Sequence, residues 1–258
     1  MNALNEEASL IPPSNTDHDL QRPRSFQWQV FQSMVYLIGS LCFVGGSSMY
    51  FTSVFRPYPN SFIAGGWLFT IGSALFLFAD LQEWWDHRTG YCFSYNEHQI
   101  NDILLRSLDR TPSSNEENQL KIEWNVFGSM IGIAFYLAGS LFFLPIFENY
   151  LVIGEWFFIF GSTFSYTSVF WKLYRSARQN SDQKFHLRTL LQDIPVLAMD
   201  IFSIIGNLAF FVGTILFLPY VNQTDAIENR AAFFFVFGSA CFVLSSLVLQ
   251  YTICCSSR

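Results

Sequence analysis

Three carboxylates lie close to long apolar stretches of the sequence, where ionisable side chains are uncommon. Asp80 follows the end of one stretch, Glu155 lies near the beginning of another, and Asp200 lies at the start of a third. An unpaired charge in hydrocarbon costs several kcal/mol, so such a residue often marks a path for protons or ions. All three lie near stretch ends, and no Lys or Arg lies inside a stretch to pair with them. This placement favours a hydrated, interfacial role, with a transport role as the alternative.

The remaining reactive groups do not form a catalytic or metal-binding pattern. His87, Cys92 and His98 could in principle bind a metal, but three scattered residues on a polar loop are more typical of solvated side chains. The sequence has no Gly-rich phosphate loop, no HExxH, no GxSxG and no cysteine pair with zinc spacing. We therefore expect no enzymatic activity, no cofactor and no metal site.

Two segments contain candidate modification sites. Cys254 and Cys255 end the last apolar stretch, a position where cysteines are substrates for reversible palmitoylation; an inert pair of thiols is the alternative. The final four residues lack the aliphatic middle positions that prenylation requires. Asn222 and Thr224 form the single glycosylation sequon of the chain.

The composition is typical of a membrane protein. Of 258 residues, 51% are apolar and 13% are charged, and this charged fraction is about half that of soluble globular proteins. The net charge of −6 provides no basic surface for phosphate contacts, so nucleic acid is not an expected partner. The five cysteines are too few and too scattered for a disulfide scaffold.

Six stretches are apolar over the roughly 20 residues that a bilayer requires. They are 29–51, 61–79, 126–147, 151–171, 201–218 and 231–255, and Glu155 is the only Asp, Glu, Lys or Arg within them. Buried helices of a soluble protein would need polar faces that these stretches lack. The predicted fold is an all-α polytopic membrane protein with six transmembrane helices.

The distribution of basic residues predicts the orientation. Of 14 Lys and Arg residues, only Arg56 and Arg230 fall on the side opposite the two termini. Cytoplasmic loops carry the excess of Lys and Arg, so both termini are predicted to be cytoplasmic, and Asn222 to lie on the outer side. The first 28 residues lack a basic start and a central apolar run, which predicts a disordered tail rather than a cleavable signal peptide.

Short patterns recur three times along the chain. The outbound helices share YLIGSLCF (36–43), YLAGSLFF (136–143) and FFVGTILF (210–217). The returning helices share GGWLFTIGS (65–73), GEWFFIFGS (154–162) and AAFFFVFGS (231–239). Each outbound helix and its returning partner are predicted to form a helical hairpin, so that six transmembrane helices make three repeated hairpins.

Small residues spaced seven apart run along every predicted helix. Seven residues return to nearly the same helix face, and small residues allow the close backbone approach on which helix association in lipid depends. We expect helix-packing seams, with a pore lining or a hinge as the alternative, at Gly39, Gly46, Gly65, Gly72, Gly132, Gly139, Gly154, Gly161, Gly206, Gly213 and Gly238. Hydroxyl residues that can bond to their own helix or to a neighbour follow the aligned glycines: Ser40, Ser73, Ser140, Ser162, Thr214 and Ser239.

The combined pattern resembles a known family. An aromatic residue or Leu, two spacers, Gly-Ser and a following Phe, then a tight turn and a second helix with Trp, Phe and Gly-Ser, are similar to the YrhK-like domain, a small two-helix membrane module. The resemblance covers all three hairpins, whereas a single hairpin is usual. The third copy departs most, with Phe233 where Trp67 and Trp156 stand. The resemblance implies a membrane-embedded architecture and supplies no catalytic residue.

The predicted organisation alternates hairpins with cytoplasmic segments. Ser94 and Glu97 have capping-box spacing, and apolar residues over 100–108 share one helix face, which predicts a short amphipathic helix. The run TPSSNEENQ (111–119) is predicted to be a flexible linker. The segments are the tail 1–28, hairpin 29–86, connection 87–123, hairpin 124–175, connection 176–192 and hairpin 193–258.

Strong packing features without a reactive constellation favour a structural or interaction protein. It would organise membrane, surrounded by lipids, or assemble with copies of itself or with other membrane proteins through the glycine seams. The alternative is a small-solute or ion transporter with a polar cavity between the hairpins, using Asp80, Glu155 and Asp200. A lipid-active enzyme is the least favoured class, because only Cys42 and Cys241 could lie near the bilayer centre. A central axis filled by Phe and Gly would favour the structural hypothesis.

Overall fold

The computed structural model describes residues 26–88, 113–177, 191 and 193–256. Every regular element in these ranges is helical, as the all-α prediction requires. The α-helices are α1 (Phe26–Ser48), α2 (Thr52–Phe55), α3 (Asn60–Arg88), α4 (Ser113–Leu141), α5 (Leu151–Ala177), α6 (Ile194–Phe217) and α7 (Asp225–Ser256), and a 3₁₀ helix spans Pro145–Tyr150.

Four helices are long and apolar enough to cross a membrane. They are α1, residues Asn60–Trp85 of α3, α6, and residues Asp225–Cys255 of α7. A shorter apolar helix, Asn125–Leu141, lies within α4. Helices of this length satisfy their backbone hydrogen bonds internally, as hydrocarbon requires. The chain is therefore an integral membrane protein.

The third apolar stretch ends earlier than predicted. The expectation extended it to residue 147, whereas α4 ends at Leu141. The Phe142, Phe143 and Leu144 amides bond to carbonyls three residues back, which tightens the last turn. Pro145, which has no N–H, then starts the 3₁₀ helix. The phenylalanines on either side of the break are apolar, so composition alone did not reveal it.

The predicted linker at 111–119 is wrong from Ser113 onward, because α4 begins there. Ser is favoured at helix N-termini, and Glu116 and Glu117 lie near the positive end of the helix dipole. Residues 89–112, 178–190 and 192 lie outside the described part of the chain, as does the side chain of His87. The predicted amphipathic helix, most of the connection 176–192, and Cys92 and His98 therefore fall outside it.

The six long helices form a closed ring in the order α1, α3, α4, α5, α6 and α7, with α7 packed against α1. Aromatic side chains from all six helices fill its centre. Large apolar side chains such as Ile38, Trp67 and Phe160 are exposed on the outside. Since lipid tails are as apolar as these side chains, an apolar outer surface suits a ring embedded in a bilayer.

Candidate functional site

Close glycine contacts join neighbouring helices inside three antiparallel pairs. In the first pair, a Cβ built on Gly39 of α1 would lie 3.2 Å from the carbonyl oxygen of Gly72 in α3. One built on Gly46 would lie 3.1 Å from the carbonyl oxygen of Gly65. Such distances leave too little space for a side chain without moving the backbone. Glycine at these positions therefore allows the two helices to approach closely.

The α4–α5 and α6–α7 pairs repeat this arrangement, with two contacts seven residues apart in each pair. The corresponding Cβ-to-carbonyl contacts are Gly132 to Gly161 at 3.1 Å, Gly139 to Gly154 at 2.9 Å, Gly206 to Gly238 at 3.1 Å and Gly213 to Ala231 at 3.2 Å. The structure thus brings together all the glycines for which packing was predicted, and we call these three sets of contacts the glycine seams.

A third contact continues each seam by another seven residues toward the end of the ring where α1 begins and α7 ends. It consists of a side-chain hydrogen bond to a backbone carbonyl instead of a glycine contact. The bonds are Gln32 Nε2 to Ala79 O at 3.3 Å, Ser168 Oγ to Asn125 O at 2.8 Å and Ser245 Oγ to Met199 O at 3.1 Å.

These contacts match the three helix pairs in a register that differs from the sequence alignment. Sequence similarity aligned Gly39 with Gly139 and Gly213, whereas the contacts give that place to Gly46, because Gly46 faces Gly65 as Gly139 faces Gly154. The equivalent segments are therefore 43–50, 136–143 and 210–217. A shift of seven residues keeps the same helix face toward the partner, so the glycine pattern fits either alignment.

Aromatic rings from the three pairs meet in layers at the centre of the ring. Phe43, Tyr136 and Phe210 occupy equivalent positions, and their ring centroids are 5.6–6.5 Å apart. A second layer, Tyr50, Phe143 and Phe217, has centroids 5.7–6.3 Å apart. Between these layers, the ring centroid of Phe69 lies 5.9 Å from that of Phe158 and 6.2 Å from that of Phe235. These distances are those of favourable edge-to-face and tilted aromatic pairs.

A cavity of about 10 Å³ lies within this aromatic core. It is close to the minimum volume that holds one water molecule. Tyr50 and Thr214 are the only lining residues with polar side chains among those described, and the others are Phe69, Phe143, Phe158, Phe217 and Phe235. The centre of the ring is packed with side chains and does not form a polar channel through these layers.

Hydroxyl groups line the contact between the first and last pairs. Ser40 and Ser246 lie 3.2 Å apart through their Oγ atoms, and Ser47 and Ser239 lie 3.1 Å apart. Ser40 also donates to the Tyr36 carbonyl in its own helix. Each of the four serines thus lies between its own helix and the neighbouring one, where α7 closes the ring against α1.

Asp80 lies between three helices instead of at a hydrated boundary. It is only 6% exposed. The Tyr36 hydroxyl donates to its Oδ1 at 2.6 Å, and the Ser129 hydroxyl donates to its Oδ2 at 2.8 Å. Asp80 therefore joins α1, α3 and α4, and its prediction as a hydrated, interfacial group is wrong.

Asp200 is also buried, and it has an ion-pair partner. The Lys172 ammonium donates to Asp200 Oδ1 at 2.8 Å, across the contact between α5 and α6. No Lys or Arg lies inside an apolar stretch, and the partner of Asp200 instead comes from just beyond the fourth stretch. The reason is that α5 continues past Trp171 to Ala177, which keeps Lys172 within the bundle. Neither the lysine nor the Asp80 hydroxyl partners had a recognisable signal in the sequence.

Glu155 is the least exposed of the three carboxylates. It has no exposed surface, and neither carboxyl oxygen has a hydrogen-bond partner among the described residues. It follows Gly154 of the glycine seam, and the equivalent residues of the other pairs are Gly66 and Ala232. The predicted hydrated setting is therefore wrong for Glu155 as well.

The segment between α6 and α7 and the end of α7 contain the remaining candidates. Asn222 is partly exposed between α6 and α7. Nearby, Asn229 Oδ1 accepts from both the Thr52 amide and hydroxyl at 3.0 Å. Cys254 and Cys255 are exposed near the end of α7. Within the part of the chain that the structure describes, no group of three His, Cys, Asp or Glu residues could hold a metal ion.

Residues 27–83 match the family model for YrhK-like protein. This segment spans almost all of α1 and most of α3, so the first helix pair carries a YrhK-like domain, as its sequence pattern indicated. No curated protein and no solved structure matches the chain significantly.

Proposed function

We propose that this chain is a structural or interaction protein of the membrane, without enzymatic activity. Its six long helices cross the bilayer as three repeated hairpins, with both termini in the cytoplasm. The shared register of the three glycine seams supports the repeat. The closed ring supports six crossings, because α4 and α5 complete the layer between α3 and α6. The basic residues on the side of the termini support the orientation.

The aromatic core is the observation that carries this proposal. Transport requires a path through the bundle that polar groups or water can line. The layers formed by Phe43, Tyr136 and Phe210 and by Tyr50, Phe143 and Phe217 occupy that position. The packing is that of a scaffold in which side-chain contacts hold the six helices together.

The glycine seams are occupied by contacts within one chain. The hypothesis that copies assemble through these glycines is therefore revised, and contacts with lipids, other copies or other membrane proteins belong to the outer face of the ring. That face carries large exposed side chains, including Leu41, Phe78, Phe164 and Leu247.

Transport remains the second candidate, because three buried carboxyls are unusual in a purely apolar scaffold. The discriminating experiment is flux of protons and small ions into vesicles reconstituted with the wild-type chain, Asp200→Asn or Glu155→Gln. We expect the same flux as protein-free vesicles for all three. Flux in the wild type that is selectively lost in either variant would replace the structural proposal with transport.

A further inference from the structure

We propose that Glu155 is a proton-binding site, a carboxylic acid that is held neutral within the membrane. The inference starts from burial. The Glu155 side chain is fully enclosed, and both of its oxygens lack a partner among the described residues. A carboxylate in that setting would lose its hydration without receiving a hydrogen bond or a counter-ion in return.

The charges around Glu155 do not favour its ionised form. Its helix packs against α4, α6 and the 3₁₀ helix. The described side chains of α4, over 125–141, include no charged residue, and Asp200 is the only charged residue of α6. Asp200 lies near the opposite end of that helix, roughly 25 Å away along the axis. The 3₁₀ helix contributes Tyr150 and the acidic Glu148, whose side chain lies outside the described set.

The backbone carbonyls of Leu216 and Phe217, at the end of α6, are acceptors that suit a protonated acid. In the register shared by the three pairs, Glu155 corresponds to Gly66 and Phe217 corresponds to Phe143. Gly66 packs against Phe143, so we infer that Glu155 packs against Phe217. A Cβ built on Gly66 would lie 3.0 Å from the Phe143 carbonyl oxygen. Glu155 and Phe217 also lie at a similar height along the ring axis. A Cβ built on Gly154, next to Glu155, would lie 3.4 Å from the Phe143 ring, and the centroid of that ring is 6.3 Å from the centroid of the Phe217 ring.

The carbonyls of Leu216 and Phe217 lack their usual backbone donors because α6 ends at Phe217. Beyond α6, the described backbone amides of Leu218, Val221 and Asn222 bond to the carbonyls of Thr214, Ile215 and Leu218. None of them bonds to the carbonyl of Leu216 or Phe217. A carboxylate cannot pair with a carbonyl, since both only accept, whereas a protonated carboxyl can donate its O–H. The proton makes the two unpartnered groups complementary.

A metal cation fits this position less well than a proton. Na⁺ or Ca²⁺ would need several oxygen ligands around a cavity. The cavity in this part of the core is about 10 Å³ and is lined mainly by phenylalanine. Glu155 is also the only carboxyl among the described side chains of α5, so a proton requires the fewest additional ligands.

Infrared spectroscopy tests the protonation directly. The full chain in lipid vesicles at neutral pH should show the C=O stretch of a protonated carboxylic acid. The wild-type minus Glu155→Gln difference spectrum should contain this band, and replacement of solvent by D₂O should shift it. Glu155→Ala, which copies Ala232 of the third pair, should give the same difference. A carboxylate band in place of the acid band at neutral pH would overturn the proposal.

Chemical labelling gives an independent test in the wild-type chain. A water-soluble carbodiimide should modify the exposed Asp225 and leave the fully enclosed Glu155 unmodified, as peptide mass spectrometry would show. Equal modification of the two residues would show a hydrated carboxyl at Glu155 and would refute the site.

Discussion

Two contacts between helix pairs differ in their polar chemistry. Where α7 meets α1, the residues beside the glycine seams are neutral, and they form the Ser40–Ser246 and Ser47–Ser239 contacts. Where α5 meets α6, the contact is charged, because Asp200 pairs with Lys172. The contacts inside the pairs are alike, so the ring differs mainly in how the pairs join. Close packing builds each pair, and polar chemistry distinguishes one junction from another.

The largest effect is expected from a change inside a glycine seam, because the seams build the pairs that the contacts between pairs join. Gly139→Ala would place a Cβ 2.9 Å from the Gly154 carbonyl and 2.8 Å from Phe158 Cδ2. We expect a loss of about 2–3 kcal/mol in stability from this overpacking. The measurement is the unfolding midpoint in mixed detergent micelles.

Gly128→Ala is the matched control, because a Cβ at Gly128 would meet Ser168 only at 3.8 Å. Both substitutions exchange the same residue types in the same helix, so they share the same change in helix propensity. If the two variants were equally stable, close approach at the seam would not be the reason for its glycine.

An intermediate effect is expected at the charged junction. Lys172→Met would leave Asp200, which is 4% exposed, without its counter-ion. Loss of one partner of a fully buried pair costs about 3–5 kcal/mol, and we expect about 2 kcal/mol here because the Lys172 side chain is 35% exposed. Thermal unfolding in detergent checks this value.

The double variant Lys172→Met/Asp200→Asn should recover most of that loss, because no unpaired charge then remains. If it were as unstable as the single variant, the lysine would act through packing of its long side chain and not through the ion pair.

The smallest effect is expected at the neutral junction. Ser239→Ala removes one hydroxyl from the Ser47–Ser239 contact. Hydrogen bonds between membrane helices contribute about 0.6 kcal/mol on average, and we expect a loss of that size. Thr163→Ala is the control, since the Thr163 hydroxyl bonds to Ile159 in its own helix. A loss at Ser239 as large as that at Lys172 would remove the distinction between the two junctions.

The sequence predicted the features that depend on a repeated pattern. Seven-residue spacing placed Gly132 and Gly161 in a packing seam, and long apolar runs indicated a membrane protein. It did not predict features that depend on the end of a helix. The partner of Asp200 was missed because Lys172 lies one residue beyond the apolar stretch, and the burial of Glu155 was missed because distance from a stretch end does not give the helix facing. The heptad spacing also allowed the wrong alignment of Gly39.

The serine contacts between α1 and α7 also bear on biosynthesis. They join α1 to α7, which is synthesised after the other described helices. The hydroxyls of Ser40 and Ser47 can therefore meet Ser246 and Ser239 only once the segment between them has been made. During that interval the two hydroxyls can form hydrogen bonds only within their own helix or with the membrane-insertion machinery. A nascent chain that stops before α7 would leave the ring open beside α1. The hydroxyls of Ser40 and Ser47 would then be exposed to recognition by quality-control machinery.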